Sequence, residues 1–378
     1  MTRFFQIVRS HFWSGFTLSG CALLFSAAAH AADYRVETVA EGLSHPWSLA
    51  FLPDGRMLVT ERTGTLRLIE ADGQLRETPV SGVPEAFVSG QAGLKDVVLA
   101  PDFEDSREVF ISYACGTRRA NATCLARGQW QDDGLTEVEV VFRASPDKTG
   151  DAHYGARLAF LPDDTLVLTL GDGFDYREAA QNPGSHIGKT VRLHRDGSVP
   201  EDNPFVGHEG VLPEIYTLGH RNPQAIVYDS EGERLLAHEH GPRGGDEINL
   251  LEPGKNYGWP LVTHGKDYTG ARITPFESLP GFEPPLLDWT PSIAPAGMTL
   301  YRGELFPQWE GQLLVAALAG KRVHRVVLDS DGARDVEQLF GELNERFRDV
   351  RTGPDGAVYL LTDSPQGRVL RVMPAIER

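Results

Sequence analysis

The chain has 378 residues, 41% apolar and 24% charged, which is ample apolar sequence for a large core. Its formal charge of −17 disfavours nucleic acid and anionic membrane surfaces, and suits a small, weakly charged substrate. Forty glycines and 25 prolines, without long helical periodicity, exclude a helical protein and leave strands joined by shaped turns.

In chain order, residues 1–31 read as an export signal. Arg3 and Arg9 form a basic start, Phe16 to Ala29 an apolar run too short to span a bilayer, and Ala29-His30-Ala31 a small-residue cleavage site. The expected mature chain is then 32–378, one domain, periplasmic or secreted. The alternative is a lipoprotein box at Leu18-Ser19-Gly20-Cys21, against which the apolar Ala22 to Phe25 argues.

From residue 49 a hairpin phrase recurs: a hydrophobic pair, a turn rich in Pro, Asp and Gly, then a short β-rich run. It reads "LAFLPDGRMLVTER" (49–62), "VVLAPDFEDSREVFISYA" (97–114), "LAFLPDDTLVLTLGDG" (158–173), "AIVYDSEGERLLAHEHG" (225–241), "TLYRGELFPQWEGQLLVAAL" (299–318) and "DVRTGPDGAVYLLTD" (349–363). Apolar alternation around such turns marks β-hairpins. Most copies are followed by a further strand, as in "GTLRLIE" and "GRVLRVM". Six four-strand units predict an all-β fold, a six-bladed β-propeller, over a sandwich or β-helix. Cys115 and Cys124 bracket a short polar loop; in an oxidising compartment they are expected to pair, two separate thiols being the alternative.

Function in propellers gathers on loops around the central channel. The most unusual loop here is "EHGPRGGDEINLLEPGKNYGWP" (239–260), too rich in Gly and Pro for regular structure and too acidic for a plain turn. With "SGQAGLKDVVLAPDF" (89–103), "HYGARL" (153–158), "GHRNPQ" (219–224) and "NERFRDVRTGPDG" (344–356), it makes an ordered set spanning the chain. That set resembles the soluble glucose/sorbosone dehydrogenase family, and within it the aldose sugar dehydrogenase branch, which uses pyrroloquinoline quinone (PQQ).

The resemblance implies oxidation of aldoses at C1 to lactones, with electrons passed to an external acceptor by a monomer or homodimer. It implies His153 as the base that takes the C1 hydroxyl proton, which an imidazole suits near neutral pH. Arg221 and Asn222 would face quinone and substrate, Arg346 and Arg348 the cofactor carboxylates, with Gln91 hydrogen-bonding the cofactor and Tyr268 packed against it. Gly241 and Pro242 would offer carbonyls to a Ca²⁺ at the cofactor; Glu247 and Tyr257 would hold a second, structural Ca²⁺.

Two departures from the family pattern stand out. Ala152 precedes His153 where the glucose dehydrogenase branch has Asp, and Asp151 is no direct substitute. In "AALAGKRV" Ala319 takes the place of the family lysine; Lys321, two residues on and so on the same strand face, is expected to replace it, the alternative being weaker PQQ binding or none. The rival readings are a calcium-dependent lactonase or similar hydrolase, and a non-catalytic sugar-binding propeller.

Overall fold

The computed structural model of the protein describes residues 34–330 and 332–375. The expected signal segment lies outside the described residues. Each recurring phrase forms the first two strands of one antiparallel sheet, and six such sheets occur. Their first strands are Pro46–Phe51, Leu94–Leu99, Gly155–Phe160, Pro223–Asp229, Pro295–Leu300 and Phe347–Thr352. Each first strand packs against the next, and the sixth returns to the first, closing the ring of a six-bladed propeller.

The ring is sealed by pairing between chain ends. Tyr34–Leu43 adds to Gly367–Pro374 as the outer strand of the sixth blade. Four strands in every blade is corrected at the first, which has three, Pro46–Phe51, Met57–Glu61 and Thr65–Ile69. Beyond Ile69 the chain carries Pro79 and Pro84, which cannot donate to a ladder, and it runs irregularly to Leu94. Cys115 and Cys124 lie diagonally across the hairpin of Glu108–Thr117 and Ala120–Gln131, and they are disulfide-bonded.

Apolar side chains fill the spaces between blades, whereas the channel wall is polar. Arg157, on the third blade, pairs with Asp96 of the second at 3.3 Å and with Asp349 of the sixth at 3.2 Å. Arg351 closes the square, 3.1 Å from Asp96 and 2.8 Å from Asp349. Two cations alternate with two carboxylates, so each buried charge is met by its opposite. This plug fixes the first strands relative to one another beneath the loops that carry the candidate site.

Candidate active site

Side chains from all six blades and their connecting loops line a cavity of about 300 Å³ over the channel, among them Trp47, Gln91, Lys95, Tyr154, Asn222, His240 and Leu318. Its charge is lopsided. Arg62, Lys95, Arg346 and Arg348 line it, and Asp363 is the single carboxylate among the lining residues. Arg346 and Arg348 both reach the same Asp363 Oδ2, at 3.0 and 3.4 Å. The Arg348 Nε is buried without a hydrogen-bond partner. Burial and the neighbouring cations, Arg348 and Arg62 first, push the Lys95 ammonium well below its ordinary value. Like charges gathered around a cavity whose innermost member, Lys95, is buried are costly unless an anion joins them. The donor set therefore fits a small polyanion with several carboxylates, as PQQ is.

His153 lies between this cavity and a second one. It precedes Tyr154, which lines the first, and its Nδ1 is 2.7 Å from Oδ1 of Asp172, which lines the second. Asp172 also accepts the Phe174 N–H at 2.8 Å and the Trp259 indole N–H at 2.8 Å. A carboxylate surrounded by donors only accepts, so Nδ1 of His153 carries the proton and Nε2 keeps its lone pair. Burial lowers the His153 pKa below its ordinary value; Asp172 opposes that shift, and Arg221 and Lys148 add to it. The imidazole is thus held toward its neutral form, as a base requires.

Asp172 supplies the carboxylate that the sequence left without a counterpart. Asp151 instead holds Ser89 at 2.7 Å and Arg118 at 3.0 Å on the rim. Gln91 Oε1 accepts the backbone N–H of His153 at 2.9 Å, so it fixes His153 as well as lining the cofactor-sized cavity. Replacing Asp172 with Asn is expected to lower kcat roughly a hundredfold, because an amide can donate to Nδ1 and select the wrong tautomer. Loss of the negative charge removes what raises the His153 pKa, so the acidic limb of the pH–kcat profile should move to lower pH. A limb that moved to higher pH would contradict this electrostatic assignment.

The second cavity, also about 300 Å³, is lined by Phe174, Asp175, Arg177, Arg221, Pro242, Trp259, Asp267 and Tyr268. Tyr268, expected against the cofactor, lines this second cavity and not the cationic one; it and Phe174 are exposed and nearly parallel, 6.3 Å apart, forming an aromatic shelf suited to a sugar face. Arg221 lines this second cavity and the small space behind loop 239–260. Its guanidinium donates to the carbonyls of His240 at 3.0 Å and Gly241 at 2.8 Å, and to the Tyr268 hydroxyl at 3.2 Å. Glu239 sets it in place by accepting the backbone N–H of Arg221 and by pairing with His220 Nδ1 at 2.9 Å.

Loop 239–260 owes its shape to Asp246. That carboxylate accepts N–H groups from Gly241 at 2.9 Å, Ile293 at 2.7 Å and Ala294 at 2.9 Å, and the Ser292 hydroxyl at 2.6 Å. Gly241 must be glycine, since a Cβ would lie 2.2 Å from the Gly244 carbonyl oxygen. Behind the loop, Gly241, Gly245, Glu239, Glu247 and Tyr257 line a space of about 10 Å³, the size of a single ion or water. Glu247 has little else to satisfy it, with the Asn249 amide 3.4 Å away, and burial beside Glu239 raises its carboxyl well above its ordinary value. Two carboxylates with carbonyls around an ion-sized space fit Ca²⁺. Each carbonyl oxygen has two lone pairs, so the Gly241 bond to Arg221 leaves one for a cation at the cofactor.

Lys321 is elsewhere. It is exposed in the turn between strands Leu313–Ala317 and Arg322–Asp329, with positive φ, and donates to Asn344 Oδ1 at 3.1 Å. The alternation argument that put it on the face of Ala319 fails because the strand ends at Ala317. Lys95 and Arg62 supply the cations instead. Their sequence signal was a lysine interrupting the apolar run "LKDVVL" and an arginine closing the first repeat.

A six-bladed propeller with a cationic central cavity and a His–Asp pair at its edge defines a class of cofactor-dependent catalyst. The sequence profile of the glucose/sorbosone dehydrogenase family matches residues 43–371, and the chain belongs to that family. It is 42% identical over 349 residues to the aldose sugar dehydrogenase YliI of Escherichia coli, covering 91% of this chain and 94% of that protein. The crystal structure of the soluble aldose sugar dehydrogenase from E. coli in its apo form superposes with a TM-score of 0.87 at 41% identity, covering 90% of this chain and all of that one, 100%. A PQQ-bound aldose sugar dehydrogenase from Streptomyces coelicolor gives 0.73 at 30% identity, covering 90% and 99%. No helix among the described residues is long and apolar enough to cross a membrane.

Proposed function

We propose that the protein is an exported, PQQ- and Ca²⁺-dependent aldose dehydrogenase that oxidises sugars at C1 and passes the electrons to an external acceptor. The observation that carries this reading is the excess of cations lining one cavity, Lys95, Arg62, Arg346 and Arg348 against Asp363, next to a neutral, oriented imidazole. When bound, PQQ supplies an ortho-quinone that accepts hydride from C1, and Ca²⁺ supplies Lewis acidity. The chain does the rest. His153 Nε2 takes the C1 hydroxyl proton while Asp172 holds the ring and stabilises the imidazolium. Arg221 places positive charge on the second cavity, and Asn222, the next residue, lines the cofactor-sized one. Phe174 and Tyr268 seat the sugar ring.

The test mixes purified protein with PQQ and CaCl₂ and follows dye reduction on adding an aldose, with and without EDTA. Reduction that needs sugar, PQQ and calcium together is the expected result; reduction without PQQ would overturn the reading. Calcium should also stabilise the fold. At a hundredfold excess over Kd the gain is about 2.7 kcal/mol, or several degrees in Tm. Glu247→Gln is expected to abolish that calcium-dependent rise in Tm. It should raise the Tm of the calcium-free protein, because the cost of burying an ionisable carboxyl beside Glu239 is gone. Differential scanning calorimetry at matched pH reads both effects.

A further inference from the structure

The loop that carries His153 is held by a neighbouring blade. Asn121 is fully buried in the hairpin closed by Cys115 and Cys124. Its backbone N–H donates to the Lys148 carbonyl at 2.9 Å, and its carbonyl accepts the Lys148 N–H at 2.8 Å. Its side-chain amide donates to the Thr117 carbonyl at 2.8 Å and the Gly150 carbonyl at 2.9 Å, while Oδ1 accepts the Tyr154 hydroxyl at 2.7 Å. Every polar group of this asparagine is therefore engaged, mostly with residues 148–154.

The same hairpin makes three further ties. The Thr123 hydroxyl donates to the Tyr154 carbonyl at 2.9 Å. Arg118 reaches Asp151 at 3.0 Å, and its carbonyl accepts the Gly150 N–H at 3.0 Å. Lys148, itself buried, lays its ammonium 3.8 Å from the Tyr154 ring centre, and its stem fills the space where a Cβ on Gly173 would meet Lys148 Cδ at 2.7 Å. One side of this clamp thus touches Tyr154, next to His153, and the other Gly173, next to Asp172.

The clamp has something to hold. His153 has φ of +50°, a left-handed conformation that a non-glycine residue keeps only under constraint from its surroundings. Released, the loop would relax and the short Nδ1 to Oδ1 contact with Asp172 would open. We propose that Asn121 is a positioning residue for His153, and that the disulfide-closed hairpin is the buttress through which it acts. The proposal rests on the reading of His153 as the base.

The test compares wild type, Asn121→Ala, Tyr154→Phe and the Cys115→Ser/Cys124→Ser double variant. In cofactor-free protein, ¹⁵N signals of the His153 imidazole report its tautomer and titration. Wild type is expected to show the Nδ1–H tautomer alone, and Asn121→Ala a mixture. With PQQ and Ca²⁺, Asn121→Ala should lose roughly tenfold to a hundredfold in kcat with the sugar KM within about twofold. Tyr154→Phe, which removes one hydroxyl, and the cysteine variant should move the same way by less. Unchanged imidazole signals and kcat in Asn121→Ala overturn the proposal; should that variant not fold, the same result in Tyr154→Phe overturns it. The NMR measurement needs neither sugar nor cofactor. An inactive wild type with normal imidazole signals would therefore count against the dehydrogenase reading, not against the clamp.

Discussion

Replacing His153 with Ala is expected to lower kcat for aldose oxidation by roughly a thousandfold, the upper part of what one positioned base contributes. PQQ affinity should stay within about threefold, because His153 is not among the residues lining the cationic cavity. The argument is one of protonation and place. The imidazole is buried and neutral, Nδ1 is committed to Asp172, and Nε2 is the remaining proton acceptor on the ring. His153→Asn is the control for backbone effects. At φ of +50° alanine is strained, whereas asparagine tolerates the left-handed region and carries no basic nitrogen. Both variants losing kcat equally, in steady-state dye assays with PQQ saturating, would assign the loss to the missing base. An asparagine variant near wild-type rate would instead assign it to backbone shape.

What the sequence showed of this molecule depended on how local the physics was. The blades were legible because each hairpin is written in one phrase: alternation, turn residues, alternation. The missing fourth strand of the first blade was legible in principle, at Pro79 and Pro84, but only against a count of strands per blade. Strand Tyr34–Leu43, which closes the ring, was not legible, since its partner lies more than 300 residues away and no local signal says which edge it joins. The site divided in the same way. His153, Arg221 and the glycines of loop 239–260 announce themselves by neighbours in sequence. Asp172 sits in "GDGFDY", which on its own reads as an ordinary turn; its role comes from a contact across 19 residues with His153. Lys321 failed for a local reason, a strand that ends at Ala317 and turns, so that alternation no longer says which way a side chain points.

That failure sets up the second large effect. If Lys95 and Arg348 hold the cofactor, replacing either with Met should weaken PQQ binding by roughly tenfold to a hundredfold, the range for a hydrogen bond to a charged group. Lys321→Ala should leave binding within about twofold. Trp47 lines the same cavity, so quenching of tryptophan fluorescence during PQQ titration of the calcium-loaded protein reads all three. The same variants carry an opposite signature in the absence of cofactor. Burial and then Arg348 depress the protonation of Lys95, and burial with Arg157, Arg62 and Arg346 that of Arg348, so each is a cost to the empty protein that an anion relieves. Lys95→Met should therefore melt at a higher temperature than wild type without PQQ, and should gain less than wild type when PQQ is added. A Lys95→Met protein that binds PQQ normally and is less stable when empty would make Lys95 a structural cation. Weak binding in Lys321→Ala would mean that the turn at Ala317 to Arg322 closes over the cofactor. The cation cluster and the turn thus give opposite rankings of the same three variants, and one titration series separates them.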